Sequence, residues 1–310
     1  MEETKPILIE CGDFTPAGEQ EKHAAVVLRP SVSYWANVWR KMITNHVAAV
    51  CFFFIVLVCF AAVFAPMLSH YAYDTTNPVA GNLSPSAAHW FGTDTLGRDL
   101  WTRVWVGARV SLLIGLFGSL VPAVIGILIG GLAGYFGGWL DQLIMRIIDV
   151  GICIPSLVYI TMLMLVMGGG PATIVVALAA TGWMGSARNV RGRVLQFRDR
   201  EFVLASRTLG GGPIRLIFSD ILPNIMGQIV VSITSGIPAA IFAEAYLSYI
   251  GMGVQSPMTS WGQLSQVGST VFLINPYQLI IPGAIISVTI LVFYIFGNCL
   301  RDALDPHMDV

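Results

Sequence analysis

The sequence predicts an all-α integral membrane protein with six transmembrane helices. Hydrophobic residues make up 55% of the 310 residues and charged residues only 11%, which is typical of a chain that lies in a bilayer. A helix needs roughly 20 apolar residues to cross the hydrocarbon core. Six runs meet or approach that length: 48–68, 110–135, 147–167, 172–186, 225–249 and 279–300. An outer-membrane β-barrel is excluded because its strands would be about ten residues long and would alternate in polarity.

The charge distribution predicts the side of the membrane on which each loop lies. Basic loops are retained on the cytoplasmic side, and 14 of the 17 Lys and Arg residues fall on that side if both termini are cytoplasmic. The predicted organisation is a cytoplasmic tail over 1–34, a first transmembrane helix with an extracellular loop over 35–108, five helices over 109–302 and a tail over 303–310. A cleaved signal peptide is not expected, because no short charged region precedes an apolar run at the start.

The predicted extracellular loop contains two short turns rich in glycine and aspartate. Asp94 closes the sequence GTD, and Asp99 closes the sequence GRD. Carboxylates in such turns cap backbone N–H groups, and Arg98 is placed to pair with either aspartate. These charges either order the loop or receive an extracellular partner protein.

The second, third and fourth runs are rich in glycine or are separated by it. The sequence GGGP at 168–171 predicts a tight turn, and therefore a helical hairpin between the third and fourth runs. Glycines in the second run allow close helix packing, either against another span of this chain or against a second subunit. After the second run, Arg146 and Asp149 lie three residues apart and can pair on one helical face.

Residues 199–224 form an amphipathic segment between two apolar runs. The first half carries Glu201, Ala205 and Ser206, and its apolar residues recur at helical spacing, which predicts a short helix. The arginines of this segment would attract anionic lipid headgroups. It therefore either lies on the membrane surface or contacts another protein.

The second half of this segment begins with a predicted reversal of the chain. Gly210 and Gly211 supply the backbone freedom for that reversal. Pro213 suits the first turn of a second helix, which bears Asp220 and is predicted to end at Pro223, before the fifth run. Two short helices at an angle are expected on the cytoplasmic face.

Glu244 is an acidic residue well inside the fifth apolar run. An unpaired carboxylate there would cost several kcal/mol, so the side chain must be neutral, hydrogen-bonded or in contact with water. It either lines a translocation path and meets a cationic solute, or is a structural carboxylate satisfied by neighbouring groups.

Residues 248–278 contain no Asp, Glu, Lys or Arg but are rich in Gly, Ser, Gln and Pro. Such a segment can dip into a membrane protein where polar side chains, such as that of Gln255, satisfy its backbone. The pattern predicts either an outer gate that includes Trp261 and Gly262, or an interfacial loop anchored by Trp261 and Tyr277.

Four blocks of sequence resemble a known family. In the 199–224 segment, Ala205-Ser206, Gly210 and the ILP triplet ending at Pro223 resemble the cytoplasmic coupling loop of ABC importer permeases. HWFGTDTLGRDLWTRVWVGARVSL at 89–112 and LSYIGMGVQSPMTSWG at 247–262 are similar to permeases of the dipeptide, oligopeptide and nickel uptake group. LRDALDP at 300–306 is similar to the end of the second, C-type permease of that group.

The resemblance implies a type I ABC importer transmembrane domain, in which residues 199–224, hereafter the coupling loop, dock in a groove of an ATP-hydrolysing subunit. It further implies a heterodimer with a homologous permease, two ABC ATPase subunits, an extracellular solute-binding protein and the cytoplasmic membrane of a bacterium. The coupling loop departs from the family pattern at Leu204, Ser206 and Asp220. An acidic residue, an alanine and a basic residue or histidine, respectively, are common there.

By the same resemblance the expected cargo is a di- or oligopeptide, with nickel or an oligosaccharide as alternatives. The chain is not expected to be an enzyme, because no GxxxxGK(S/T) phosphate loop occurs in it. ATP and magnesium are expected in the partner subunits, no cofactor or metal on this chain, and no nucleic acid among its partners. The alternative from another class is an ion-gradient-driven carrier or channel, which would place several ionisable groups near mid-membrane.

Overall fold

The computed structural model describes residues 34–304, and within them all regular structure is helical apart from an antiparallel bridge between Thr93 and Asp99. The predicted tail at 1–34, apart from Tyr34, and most of the predicted tail at 303–310 lie outside the described residues. The helices are α1 Tyr34–Thr44, α2 His46–Phe64, α3 Leu100–Phe136, α4 Gly138–Cys153, α5 Ser156–Met167, α6 Pro171–Arg198, α7 Glu201–Thr208, α8 Pro213–Arg215, α9 Leu222–Tyr249, α10 Trp261–Thr270 and α11 Tyr277–Leu304.

Among the described residues, four helical segments are long and apolar enough to cross a membrane: His46–Leu68, Leu100–Phe136, Pro213–Tyr249 and Tyr277–Leu304. Helices α4 and α5 pass the same test together but are bent by 84° at the break between them, so they add at most a fifth span. The predicted run at 172–186 is the first part of α6, which is not among these segments. Arginines in the second half of α6 limit its apolar part to a short stretch.

One face of α6 packs along a glycine-rich face of α3. A Cβ on Gly126 would lie 2.3 Å from Ser186 Oγ, and a Cβ on Gly130 would lie 2.3 Å from the carbonyl oxygen of Ala187. Small residues allow two helix backbones to approach this closely. These two glycines therefore pack against another helix of the same chain and not against a second subunit, which was the other alternative.

Ion pairs join α6 to α4 at the predicted cytoplasmic end. Arg191 donates to both carboxylate oxygens of Asp141, with Nη2 to Oδ2 at 2.5 Å, and these hydrogen bonds raise the pKa of Arg191. Arg188 Nη2 donates to Asp149 Oδ1 at 2.5 Å. The predicted pairing of Arg146 with Asp149 is therefore wrong, because Asp149 is engaged by a residue of another helix.

Helix α1 is an element that the hydropathy pattern does not predict, because it is short and mixes polar with apolar residues. Val38 and Met42 lie four residues apart and are buried. They belong to one apolar cluster with Ala48 of α2 and Ala303 of α11. The four-residue spacing of the two side chains is the sequence signal that could have identified this helix.

Candidate functional site

The coupling loop begins with helix α7 and turns at Gly210. This glycine has φ of +88°, a conformation that residues with a Cβ rarely adopt. The N–H of Gly211 donates to the carbonyl oxygen of Ser206 at 3.0 Å, and a Cβ on Gly211 would lie 2.8 Å from that oxygen. The predicted reversal is confirmed. Gly210 is required for its backbone conformation, and Gly211 for its close contact.

The second half of the coupling loop is continuous with the membrane span that follows it. Pro213 begins α8 as predicted, but the chain then passes through a π-helical turn, Leu216–Ile221, directly into α9. The N–H of Leu222 donates to the carbonyl of Ile217, five residues earlier, and Pro223 falls in the first turn of α9. The π-helical turn already interrupts the regular i→i−4 hydrogen bonding just before this proline, so its missing N–H is tolerated there. The prediction that Pro223 ends a separate short helix is therefore wrong.

One face of the coupling loop is anchored in an apolar cluster. Val203, Leu216 and Ile221 are each 0% exposed, and they pack in one cluster with Val190 and Val194 of α6. Burial of each such side chain stabilises the fold by about 1.5–3 kcal/mol. The loop is thereby fixed to α6 and to the start of α9.

The coupling loop also exposes large apolar side chains. Leu209 and Ile214 are 89% and 73% exposed on either side of Gly210, and Phe202 and Phe218 are 44% and 48% exposed. Several large exposed apolar groups within one short segment are typical of a surface that contacts protein or membrane.

The other residues predicted for this loop differ in exposure. Glu201 and Ala205 are exposed, whereas Ser206 and Asp220 are partly buried. Asp220 Oδ2 is buried and has no hydrogen-bond partner among the described residues. Arg207 lies over the ring of Tyr135 on α3, with its guanidinium carbon 5.7 Å from the ring centroid.

The predicted extracellular turns form a buried charge network. Asp94, Arg98 and Asp99 are 2%, 4% and 3% exposed. Arg98 Nε donates to Asp94 Oδ2 at 2.7 Å, and Asp94 Oδ1 accepts two backbone N–H groups of its own turn. Asp99 caps α3 by accepting from the N–H and the hydroxyl of Thr102 at 2.9 and 2.6 Å. These hydrogen bonds order the loop. This was one of the two predicted roles of these charges, the other being contact with an extracellular partner protein.

Arg103 extends this network to α10, and the sequence analysis does not identify it as a site residue. Its side chain is 0% exposed. Nη1 donates to the carbonyl oxygen of Tyr73 at 2.9 Å and Nη2 to Gln263 Oε1 at 3.1 Å, while Nε lies 3.7 Å from Asp94 Oδ2. The position of Arg103 close to an apolar run could have identified it, because an arginine near the membrane requires polar partners inside the protein.

Glu244 is 0% exposed and accepts a hydrogen bond on each oxygen. Ser111 donates to Oε2 and Ser248 to Oε1, both at 2.8 Å. Ser111 Oγ accepts the N–H of Trp261 at 3.2 Å, and Ser248 Oγ accepts the N–H of Val254 at 3.1 Å. The carboxylate therefore ties α3, α9 and α10 together, as the structural interpretation of this residue expects.

The uncharged segment after α9 enters the protein as α10. Trp261 is 0% exposed, and its indole N–H donates to the carbonyl oxygen of Val104 at 3.0 Å, so its proposed role as an interfacial anchor is wrong. A Cβ on Gly262 would lie 2.5 Å from the Cα of Ala245, which fixes α10 closely against α9. Gln255 remains exposed.

Two family models match this chain. Residues 126–310 match the model described as binding-protein-dependent transport system inner membrane component. Residues 33–85 match the model described as the N-terminal TM domain of oligopeptide transport permease C.

Known permeases are similar to nearly the whole chain. The oligopeptide transport system permease protein OppC of Bacillus subtilis (strain 168) is 43% identical over 295 residues, which cover 95% of this chain and 97% of OppC. The dipeptide transport system permease protein DppC of the same organism is 45% identical over 291 residues, which cover 94% of this chain and 91% of DppC. Among solved structures, the inward-facing MetNI methionine ABC transporter matches with a TM-score of 0.48 and 19% identity, over 65% of this chain and 97% of that chain.

Proposed function

This chain belongs to the family of inner membrane components of binding-protein-dependent transport systems, and on that premise we propose that it is a permease subunit of an ATP-driven importer of di- or oligopeptides. The observation that carries the proposal is the similarity to an oligopeptide and a dipeptide permease, at 43% and 45% identity over 95% and 94% of the chain. Peptides are the proposed cargo because both relatives are named for them. Uptake of nickel or an oligosaccharide instead of peptides would contradict this choice.

The proposed assembly contains a second, homologous permease, two ABC ATPase subunits and an extracellular solute-binding protein. The chain has no phosphate loop of its own, so ATP is hydrolysed in the partner subunits. The positive charge of the predicted inner loops supports a location in the cytoplasmic membrane of a bacterium, with both termini and the coupling loop in the cytoplasm.

The coupling loop is the proposed docking surface for an ATPase subunit. Leu209 and Ile214, at 89% and 73% exposure, are apolar groups that a groove on a protein would cover. In the same loop, Val203 and Leu216 are buried against α6 and α9. Since packed interiors transmit displacement rather than absorb it, a force applied to the exposed face moves these two helices.

Purification and uptake together test the proposed assembly. In a host that lacks its own copy of this chain, a tagged copy is expected to co-purify with an ATPase and a second permease in mild detergent. Uptake of labelled di- and tripeptides should stop when ATP is exhausted while the ion gradient is maintained. Persistent uptake without a co-purifying ATPase would establish the gradient-driven carrier instead.

A substitution at the exposed turn tests the docking surface. Leu209→Asp should reduce the amount of co-purifying ATPase by roughly tenfold or more, because truncation of a central apolar contact commonly costs 2 kcal/mol or more. Val79→Asp makes the same change at a side chain that is 95% exposed in the predicted extracellular loop, and it should leave the ATPase bound. Equal retention of the ATPase by both variants would contradict docking at Leu209 and favour contact with lipid headgroups.

A further inference from the structure

Helix α1 and the residue that precedes α2 line an open pocket with a volume of about 320 Å³. Two cationic and two neutral hydrogen-bonding side chains meet there, a composition that suits a phosphate group. The lining residues are Arg40, Lys41, Thr44 and Asn45. No Asp or Glu occurs between Tyr34 and Tyr73, so α1 and α2 bring no carboxylate of their own to this pocket, hereafter the basic pocket.

Helix α1 places its basic face beside an exposed apolar face. At 100° per residue, Arg40, Lys41 and Thr44 fall within about 100° of the helix circumference, and Trp39 and Ile43 fall on the next face. Trp39 and Ile43 are 55% and 57% exposed. The third face is buried against α2 and α11. A basic face together with an exposed aromatic and aliphatic face is typical of a helix that lies at the surface of a membrane.

The basic pocket lies at the level of the membrane where lipid headgroups are found. Asn45 caps α2 by accepting two backbone N–H groups of its first turn, and the membrane-spanning segment begins at the next residue, His46. Trp39 contacts Phe52 in the second turn of α2, with ring centroids 5.9 Å apart. The pocket is therefore adjacent to the first apolar turns of a span, where the headgroup layer meets the hydrocarbon core.

The surroundings of the basic pocket suit a phospholipid better than a soluble phosphate compound. Ile43 on α1 and Val47 and Val50 in the first two turns of α2 are 57%, 54% and 68% exposed. A lipid can place its phosphate in the pocket and its acyl chains along these side chains, whereas a soluble phosphate would leave them uncovered. Two adjacent cations also favour an anionic headgroup over a zwitterionic one, because they repel the ammonium group of the latter.

The end of the last span lies next to the basic pocket. Asn45 Nδ2 donates to Cys299 Sγ of α11 at 4.0 Å, and Ala303 of α11 belongs to the apolar cluster that buries one face of α1. The last turn of α11 also carries Arg301 and Asp302, whose charges cancel. A ligand in the pocket would therefore stabilise the packing of α1 on α11.

We infer that the basic pocket binds the headgroup phosphate of an anionic phospholipid, in the leaflet at which α2 begins. The bound lipid holds α1 against the end of α11. This role goes beyond the proposed function, because it depends neither on the solute nor on an ATPase partner.

Native mass spectrometry of the purified full-length chain tests the site. The protein in detergent is titrated with phosphatidylglycerol, which is anionic, or with phosphatidylethanolamine, which is zwitterionic. Arg40→Gln/Lys41→Gln, the neutral variant, should bind the first phosphatidylglycerol about tenfold more weakly or more, because each basic side chain at an anionic surface contributes roughly fivefold to binding. The wild type should prefer phosphatidylglycerol to phosphatidylethanolamine by a similar factor.

Two further variants separate the site from the overall charge of the protein. Arg146→Gln/Arg193→Gln removes two charges at exposed positions of α4 and α6 and should leave the binding of the first phosphatidylglycerol unchanged. Arg40→Lys/Lys41→Arg, the exchange variant, keeps both charges in the basic pocket and should bind it as the wild type does.

Thermal unfolding gives an independent measurement of the same site. A ligand that binds only the folded protein stabilises it. Phosphatidylglycerol should therefore raise the Tm of the wild type and of the exchange variant but not that of the neutral variant. Each protein is compared with itself, with and without lipid, so a lower starting Tm of the neutral variant does not affect the comparison.

Four results would overturn the inference. They are equal affinity of the wild type and the neutral variant for phosphatidylglycerol, equal affinity of the wild type for the two lipids, and an equal loss of binding in Arg146→Gln/Arg193→Gln. The fourth is displacement of the lipid by inorganic phosphate at constant ionic strength, which would assign the pocket to a soluble phosphate compound. If the neutral variant does not fold, the comparison of the two lipids on the wild type still decides.

Discussion

Replacement of Glu244 by glutamine is predicted to destabilise the protein and to reduce uptake of all peptides alike. Both carboxylate oxygens accept a hydroxyl hydrogen bond at 2.8 Å, from Ser111 and Ser248. Both hydroxyl oxygens already accept a backbone N–H. The amide nitrogen of glutamine cannot accept a hydrogen bond, so one serine hydroxyl loses its buried acceptor.

The expected magnitude follows from that single unsatisfied donor. A buried polar group without a partner costs about 1–3 kcal/mol. In domains of 150–250 residues, 1 kcal/mol lowers the Tm by about 2–4 °C. We therefore expect the Tm of the Glu244→Gln protein to fall by several degrees. Glu244→Ala should lower it further, because it removes both acceptors and leaves a cavity.

The assay is the thermal unfolding of the purified protein in detergent, together with uptake of cationic, neutral and anionic dipeptides. Glu201→Gln makes the same chemical change at an exposed position of α7 and should leave the Tm unchanged. Ser111→Ala combined with Glu244→Gln should destabilise by less than the sum of the single changes, because the two groups are partners. An unchanged Tm together with selective loss of cationic uptake would refute this reasoning. It would favour the alternative in which Glu244 lines the translocation path and contacts cationic solutes.

Two further predictions concern the packing of α3 and the extracellular network. Gly130→Ala should lower the Tm, because its Cβ would lie 2.3 Å from a backbone oxygen of α6, whereas at Gly131 the nearest atom would be 3.6 Å away. Gly131→Ala should therefore leave the Tm unchanged or raise it through the helix propensity of alanine, worth about 1 kcal/mol, and equal effects of the two changes would contradict the packing argument. Asp94→Asn should cost about 3–5 kcal/mol, because it leaves the buried guanidinium of Arg98 without its carboxylate. Asp74→Asn, at an exposed aspartate of the same loop, should cost much less, and a folded yield of Asp94→Asn equal to that of Asp74→Asn would show that the network is not required.

Some features of the coupling loop can be predicted from adjacent residues and others cannot. Helix α7 and the turn at Gly210 follow from spacing and backbone freedom, which depend on a few adjacent residues. The position of Pro223 inside a continuous helical segment does not follow from adjacent residues. A π-helical turn precedes this proline, and its missing N–H is tolerated there. The presence of a proline predicts an interrupted helix. It does not predict that the preceding turn is π-helical and that the helix continues through the proline.

The pairing of polar side chains, in contrast, depends on residues far apart in the sequence. Asp149 pairs with Arg188, 39 residues away, and not with Arg146. Glu244 could equally have lined a path or held three helices together, because its cost in a membrane is the same in either case. Only the positions of Ser111 and Ser248 decide between them.

The sequence by itself determined that this is a helical membrane protein, where its main turns fall and to which permease family it belongs. These properties follow from hydropathy, backbone preference and short motifs, which are carried by neighbouring residues. Only the tertiary structure decided that one face of α6 packs against the glycines of α3, and that Trp261 and Glu244 are buried. Each of these outcomes depends on which distant side chains come within hydrogen-bonding or van der Waals distance, and that is set by packing of the whole chain.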